Sequence, residues 1–182
     1  MGKTIISQAR GHGSLTYRVR REAYKYRIGY PNIKEGEANV IKLLSSAGHT
    51  APLAKIQLNN EVAFIPAVEG MYEGQKIYFG KAKPEQGNVL QLKDIPAGTQ
   101  IFNIELRPFD GGRLIRSGGS SAILSSVEKD KAVILFPSKK KTELNAECRA
   151  TIGRIAGHGR KEKPWVKAGR KHYLMKARNK LW

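Results

Sequence analysis

Cysteine, acidic residues and long apolar runs are all scarce in this sequence of 182 residues. The only cysteine is Cys148, which excludes an internal disulfide and a zinc site built from several cysteines. No stretch approaches the roughly 18 consecutive apolar residues of a transmembrane helix, and residues 1–14 lack the apolar core of a secretory signal. We therefore expect no membrane partner, and a reducing, cytoplasmic setting fits the sequence.

The shortage of acidic residues leaves a strong positive charge, because 33 Lys and Arg face 15 Asp and Glu for a formal net charge of +18. The excess lies at the two ends. Residues 1–27 hold seven basic residues and one acidic residue, and residues 148–182 hold eleven and one. The middle is nearly balanced, with fifteen basic and thirteen acidic residues. A near-neutral body with two basic arms predicts a large polyanionic partner.

Catalytic and metal-binding patterns are missing as well. Nucleophilic catalysis needs a Cys or Ser beside a base and an orienting acid, whereas Cys148 lies in an alternating stretch typical of a small buried thiol. The four histidines have no HExxH or His-x-His spacing, and Gly11-x-Gly13 follows no predicted strand. Asp110 precedes two glycines, which is typical of a turn. We predict that the chain is not an enzyme and takes no small-molecule substrate.

The body between the arms is predicted to be all-β. Short or alternating apolar runs recur between turn signals, and no segment of ten or more residues shows a helical period. The predicted strands lie in 38–44, 53–58, 62–68, 76–79, 88–92, 99–106, 120–127, 131–136 and 148–155. The polar stretch 80–87 divides them four and five. This division predicts two small barrels, with one strand of the first barrel unrecognised, although strand number alone also fits one sandwich.

The basic arms have the composition of a nucleic-acid-binding surface. Arg and Lys bind phosphate, glycines allow close backbone approach, and Trp165, Tyr173 and Trp182 offer faces for unpaired bases. This combination favours irregular RNA. Such arms have few apolar residues and usually order only against a partner. The alternatives are a solvated charge run and, for the arginines between 107 and 116, surface pairing with Glu105 and Asp110.

Several strings, taken in order, resemble one family. They are Ala51-Pro-Leu-Ala-Lys55, Glu69-Gly-Met-Tyr-Glu-Gly-Gln75, Gly87-Asn-Val-Leu-Gln-Leu92, Ile95-Pro-Ala-Gly-Thr99, Asn103-Ile-Glu105, Gly111-Gly-Arg-Leu-Ile-Arg-Ser117, Arg149-Ala-Thr-Ile-Gly153, Ala156-Gly-His-Gly-Arg160, Lys163-Pro164 and Lys167-Ala-Gly-Arg170. Their order and spacing resemble universal protein two of the large ribosomal subunit, in its archaeal and eukaryotic cytosolic form. The opening Met1-Gly-Lys3 and Ser7-Gln-Ala-Arg-Gly11 fit that form too.

The resemblance implies a basic N-terminal extension (1–35), an oligonucleotide-binding-type barrel (36–82), an SH3-like barrel (83–156) and a basic C-terminal extension (157–182). It further implies a structural protein of the cytoplasmic ribosome that binds large-subunit rRNA near the peptidyl-transferase region and supports assembly and subunit association. Other large-subunit proteins would be further partners. No cofactor is expected, structural Mg²⁺ or K⁺ ions at the RNA interface excepted. Family members continue beyond Trp182 with a glycine-rich tail containing a histidine, so that histidine's role is not carried over.

The predicted RNA-binding residues combine the family strings with the basic arms. From the strings Gly111–Ser117 and 149–171 they are Arg113, Arg116, Arg149, Arg154, Arg160, Lys163, Lys167, Arg170 and Lys171. The arms add Arg10, Arg18, Arg20, Arg21, His158, Lys161, Trp165, His172, Lys176, Arg178 and Lys180.

Two other functional classes remain as alternatives. An RNA-modifying or RNA-cleaving enzyme would need an acid, base or metal site that the sequence does not show. A DNA-compacting chromatin protein would share the basic arms, and competition by duplex DNA would distinguish it.

Overall fold

The computed structural model describes residues 2–3, 5–15, 17–18, 25–46, 48–59, 61–159 and 162–177, with side chains as far as His172. The described residues are mostly strands, which confirms the all-β prediction. The elements in chain order are α1 (Ile6–Gly11), β1 (Gly36–Leu44), β2 (Leu53–Leu58), β3 (Glu61–Pro66), β4 (Lys76–Phe79), β5 (Val89–Gln91), a 3-10 turn (Leu92–Asp94), β6 (Gln100–Phe102), β7 (Ala122–Glu128), β8 (Lys131–Leu135), β9 (Lys141–Asn145), β10 (Arg149–Ile152) and α2 (Ala168–Ala177).

Each of the nine predicted runs contains a strand, and the structure adds β9 as a tenth. The unrecognised strand therefore lies in the second half of the chain, and its expected place in the first barrel was wrong. Only Leu144 of β9 is buried. Because β9 is an edge strand with one apolar contact to the core, its sequence Lys-Thr-Glu-Leu-Asn lacks the alternation that marks a half-buried strand.

Among the residues that the model describes, the strands form one continuous sheet in the order β3-β2-β1-β4-β5-β10-β6-β7-β8-β9. Nearly all neighbours are antiparallel. The exception is the parallel contact of β4 with β5, which rests on the single pair Phe79 and Val89. That short contact joins strands β1–β4 to strands β5–β10, and each group of strands packs its own core.

Two clusters of buried apolar side chains fill the two halves. The first includes Ile56, Ile65 and Ile77, and the second includes Leu124 and Ile134. Residues from the second half also enter the first cluster, notably Phe102 and Ile155. The predicted domain boundaries remain a prediction, but two cores are what two small barrels require.

The last part of the predicted N-terminal extension belongs to the body. Ile28 and Tyr30 are buried, and the Tyr30 hydroxyl is hydrogen-bonded to Thr151 Oγ1 at 2.5 Å. The Gly29 amide donates to the Phe64 carbonyl at 3.0 Å. Residues 28–33, which we call the strap, thus run along β3 and reach the second half of the chain.

Both arms contain helix where none was predicted. Helix α2 has ten residues. Its side chains are described from Ala168 to His172, and these are exposed. Its sequence consists largely of good helix formers such as Ala, Arg, Lys and Leu. Its sequence has no apolar stripe at a 3.6-residue period, which is why the pattern did not reveal the helix.

Candidate nucleic-acid interface

The connection between β6 and β7 is organised by a buried carboxylate. Glu105 has no solvent exposure and accepts hydrogen bonds from the backbone amides of Phe109, Gly111 and Arg149 at 3.2, 3.2 and 2.9 Å. Its Oε1 also accepts from Arg149 Nε at 3.0 Å and Nη2 at 2.7 Å. A carboxylate so fully paired can remain charged inside the protein.

The RNA contact predicted at Arg149 stays a prediction, and the structure shows the side chain engaged within the protein. Its side chain is only 3% exposed, and Nη1 donates to the carbonyls of Pro31 and Ile33 at 3.1 and 3.0 Å. The guanidinium also lies 4.7 Å from the centre of the Phe109 ring. Since its donors bind the strap and Glu105, Arg149 ties the N-terminal segment to β10.

The turn predicted at Asp110 is confirmed. Asp110 accepts hydrogen bonds from the amides of Leu106, Arg107 and Gly112 at 3.1, 3.3 and 3.1 Å. Gly112 has φ +83, and a Cβ there would lie 2.6 Å from the Asn103 carbonyl oxygen. The glycine is required by both the backbone angle and the space, so this loop is held in one conformation.

The fixed loop directs Arg113 into solvent. Its side chain is 68% exposed, and its Nε lies 3.7 Å from Asp110 Oδ2, a loose contact compared with a charge-assisted hydrogen bond. Glu105 is paired with Arg149 and does not pair with a surface arginine. Of the two acids in the surface-pairing alternative, Asp110 contacts Arg113, and it does so loosely. Arg113 is therefore available to an anionic partner.

Arg116 contacts the strap and is also partly exposed to solvent. Its Nη2 donates to the Ile28 carbonyl of the strap at 2.7 Å, and it is partly exposed. Burial, with a contribution from the neighbouring Arg113 cation, lowers the pKa of Arg116 from its ordinary value. An arginine stays protonated even so, and its charge faces His49, whose pKa is lowered mainly by burial and also by Arg116.

Three backbone segments meet beside Arg116 without intervening side chains. The Gly118 amide donates to Thr50 Oγ1 at 3.0 Å, and a Cβ at Gly118 would lie 2.8 Å from the Thr50 carbonyl oxygen. At Gly119, with φ +72, a Cβ would lie 2.8 Å from the Cα of His158. The glycines therefore let the segments 118–119 and 157–158 pack directly together.

Arg154 fixes this junction. Its Nε donates to the Gly119 carbonyl at 3.0 Å, and its Nη2 lies 2.7 Å from His158 Nδ1. The junction borders an open cleft of about 390 Å³ whose rim includes His49, His158 and Lys163. We call the following residues the basic face: His49, His158 and Lys163, which line the cleft, Arg116 and Arg154, which interact with the two histidines, and Arg113, whose charge acts on Arg116. His49 was not predicted, because a lone histidine in sequence gives no sign of its neighbours.

The predicted residues of the arms are only partly described. Lys163, Trp165, Lys167, Arg170, Lys171 and His172 are exposed, with Trp165 at 43%. In the N-terminal arm, the Arg10 guanidinium lies 5.9 Å from the Tyr17 ring centre, and Arg18 Nε donates to the Gly13 carbonyl. Lys176 lies in α2 without a described side chain. Arg20, Arg21, Arg160, Lys161, Arg178 and Lys180 lie outside the described residues.

Cys148 is the buried thiol that the sequence predicted. It is fully buried in the second core cluster, and burial is the main cause that raises its pKa to about 11. In the described ranges, no group of three or more His, Cys, Asp or Glu could hold a metal ion. None of the helices described there has the length and apolar character needed to span a membrane.

The fold and the site define a class of protein: a two-core β protein with a basic, glycine-packed surface. Residues 85–181 match the family model described as Ribosomal Proteins L2, C-terminal domain. This range contains β5–β10, whose buried side chains form most of the second core, and all the residues of the basic face except His49.

Relatives extend the match over the whole chain. The large ribosomal subunit protein uL2 of Methanothermobacter thermautotrophicus is 44% identical over 188 residues, covering 99% of this chain and 78% of the relative. The uL2 proteins of Ignicoccus hospitalis and Hyperthermus butylicus are 45% and 44% identical, each covering all of this chain and 76% and 78% of the relative. The chain belongs to the uL2 family of large ribosomal subunit proteins. This membership confirms the predictions of a structural ribosomal protein of the cytoplasm that is not an enzyme.

Proposed function

We propose that the chain binds large-subunit rRNA through the basic face and the basic arms, near the peptidyl-transferase region, and so supports assembly of that region and subunit association. One observation carries the proposal. Glycine-to-backbone packing brings two distant segments, 116–119 and 154–158, to one surface. Lys163 lines the cleft there, Arg154 and Arg116 interact with its two histidines, and Arg113 acts on Arg116, so the surface is suited to RNA phosphates.

The arms extend this surface. The described residues 162–172 are all exposed and hold four Lys or Arg against the single acid Glu162. Phosphate neutralisation by these cations releases counterions, so affinity should depend steeply on salt. If about ten charges contact phosphate, log affinity falls against log salt with a slope of about −7 to −9. Structural Mg²⁺ or K⁺ ions would be needed only where several RNA phosphates lie close to one another at the protein surface.

The test is the salt dependence of binding to large-subunit rRNA. We compare the unchanged chain with a variant carrying Lys163→Ala, Lys167→Ala, Arg170→Ala and Lys171→Ala. The matched control carries Ala at four other exposed lysines, Lys81, Lys83, Lys93 and Lys129. The first variant should reduce the magnitude of the slope by about 3, since each lost phosphate contact removes about 0.7 to 0.9.

An equal loss in the control variant would show that general charge, not this segment, drives binding. Duplex DNA should compete poorly with folded rRNA. Strong competition by duplex DNA would instead support a chromatin-type function and contradict the proposal.

A further inference from the structure

The cleft at the centre of the basic face has the size and lining of a small-ligand site. Its volume of about 390 Å³ lies in the usual range of about 300 to 1,000 Å³ for such sites. Ala51, Pro52 and Gly157 contribute apolar and backbone surface, and His49, His158 and Lys163 contribute nitrogen groups. Among the described residues that line the cleft, none is acidic.

The two histidines present flat, uncharged rings to the cleft. The lowered pKa of His49 makes it neutral at pH 7, and its Nδ1 lies 2.9 Å from Ser46 Oγ. His158 Nδ1 lies 2.7 Å from the Arg154 guanidinium. Since a guanidinium can only donate, His158 Nδ1 accepts that hydrogen bond.

Cations surround these rings. Arg116 acts on His49 electrostatically, Arg154 is bonded to His158, and Lys163 stands at the rim. The result is an apolar, ring-bearing recess with positive charge at its border. A base needs a flat, largely apolar surface, and the phosphate attached to its sugar needs cations nearby.

We infer that this cleft holds one unstacked nucleotide of the bound RNA, with its base between His49 and His158 and its phosphate at Lys163. The inference rests on the proposed function and makes it more specific, because it assigns part of the recognition to a splayed-out base. A base inside a duplex is stacked and paired and cannot enter such a recess, whereas loops and bulges present free bases.

The test uses the full chain and a single-stranded uridine decamer that carries one 4-thiouridine. The duplex probe is the same decamer paired with a complementary adenosine strand. Photocrosslinked peptides are identified by mass spectrometry. Stacking on protein rings tolerates any base, so uridine is a fair probe. We expect crosslinks to peptides containing residues 45–52 or 157–163 with the single strand, and much weaker ones with the duplex.

Two substitutions separate the cleft from general charge. Ser45 is exposed and lines the cleft, so Ser45→Trp should fill it. Loss of one stacked base should weaken decamer binding about tenfold. The salt slope should not change, because Ser45→Trp removes no charge. The matched control is Ser125→Trp, at an exposed serine of β7, which should bind as the unchanged chain does.

The outcomes distinguish the two proposals. If the chain binds rRNA with a steep salt slope but Ser45→Trp has no effect, or the crosslinks lie elsewhere, the nucleotide site is refuted and rRNA binding stands. Equal crosslinking of the duplex at the cleft, or failure of the decamer to bind, also refutes the site. If the chain binds neither rRNA nor the decamer, both proposals fail.

Discussion

Removal of one partner of the buried ion pair between Glu105 and Arg149 should strongly destabilise the protein, and Arg149→Met tests this. The substitution keeps most of the side-chain volume and removes the guanidinium. Glu105 would then remain fully buried with its three backbone donors but without the cation 2.7 Å away. The carbonyls of Pro31 and Ile33 would lose their donors at the same time.

The expected cost is about 3 to 5 kcal/mol, the range found when one partner of a buried pair is removed. That is a large part of the total stability of about 5 to 15 kcal/mol of a typical folded protein. For a chain of this size, each kcal/mol shifts the melting temperature by about 2 to 4 °C. The melting temperature should therefore fall by about 6 to 20 °C, as measured by circular dichroism.

The chain supplies a matched control at the same distance. Lys76 Nζ lies 2.7 Å from Glu37 Oε1, but the two side chains are 61% and 40% exposed. Lys76→Met should leave the melting temperature nearly unchanged, because water screens an exposed pair. A double variant, Glu105→Gln with Arg149→Met, should be more stable than Arg149→Met alone, because it leaves no uncompensated buried charge. Equal losses at Arg149 and Lys76 would refute the reasoning.

Two further predictions concern the backbone and the thiol. Gly112→Ala should lower the free energy of unfolding in urea by more than about 2 kcal/mol, because it adds a clash with Asn103 to the cost of a positive φ. The control Gly98→Ala is also at positive φ but has open space around its Cβ, so it should cost only about 1 to 2 kcal/mol. An equal cost for the two substitutions would show that the clash at Gly112 does not matter. Because burial raises the pKa of Cys148 to about 11 from its ordinary 9.0, its contribution to stability should be complete below pH 9 and lost as the pH rises toward 11. Ellman's reagent at pH 8 should label this thiol only after unfolding, and rapid labelling of the folded chain would show that Cys148 is accessible.

The sequence alone determined the strand content, the two cores and the basic character of the surface. These follow from local properties: alternation along β2, turn residues such as Asn59 and Lys129, which both take positive φ, and the number of charges in each segment. The strand boundaries of β2 and β4 match the predicted runs residue for residue. Helix α2 and strand β9 were missed because neither has an apolar period in its sequence.

Only the tertiary structure decided which arginines face solvent. Arg113 and Arg149 both occur in strings that resemble the same family, yet one is exposed and the other is sealed between Glu105, Phe109 and the strap. Glu105 and Arg149 each lie among apolar residues in the sequence, which is a weak indication of a buried ion pair. Pairing across 44 residues depends on how the chain folds back on itself, and a one-dimensional pattern does not contain that information. The same holds for the cleft, whose walls come from segments about 110 residues apart, brought together by glycines that leave room for neighbouring backbones.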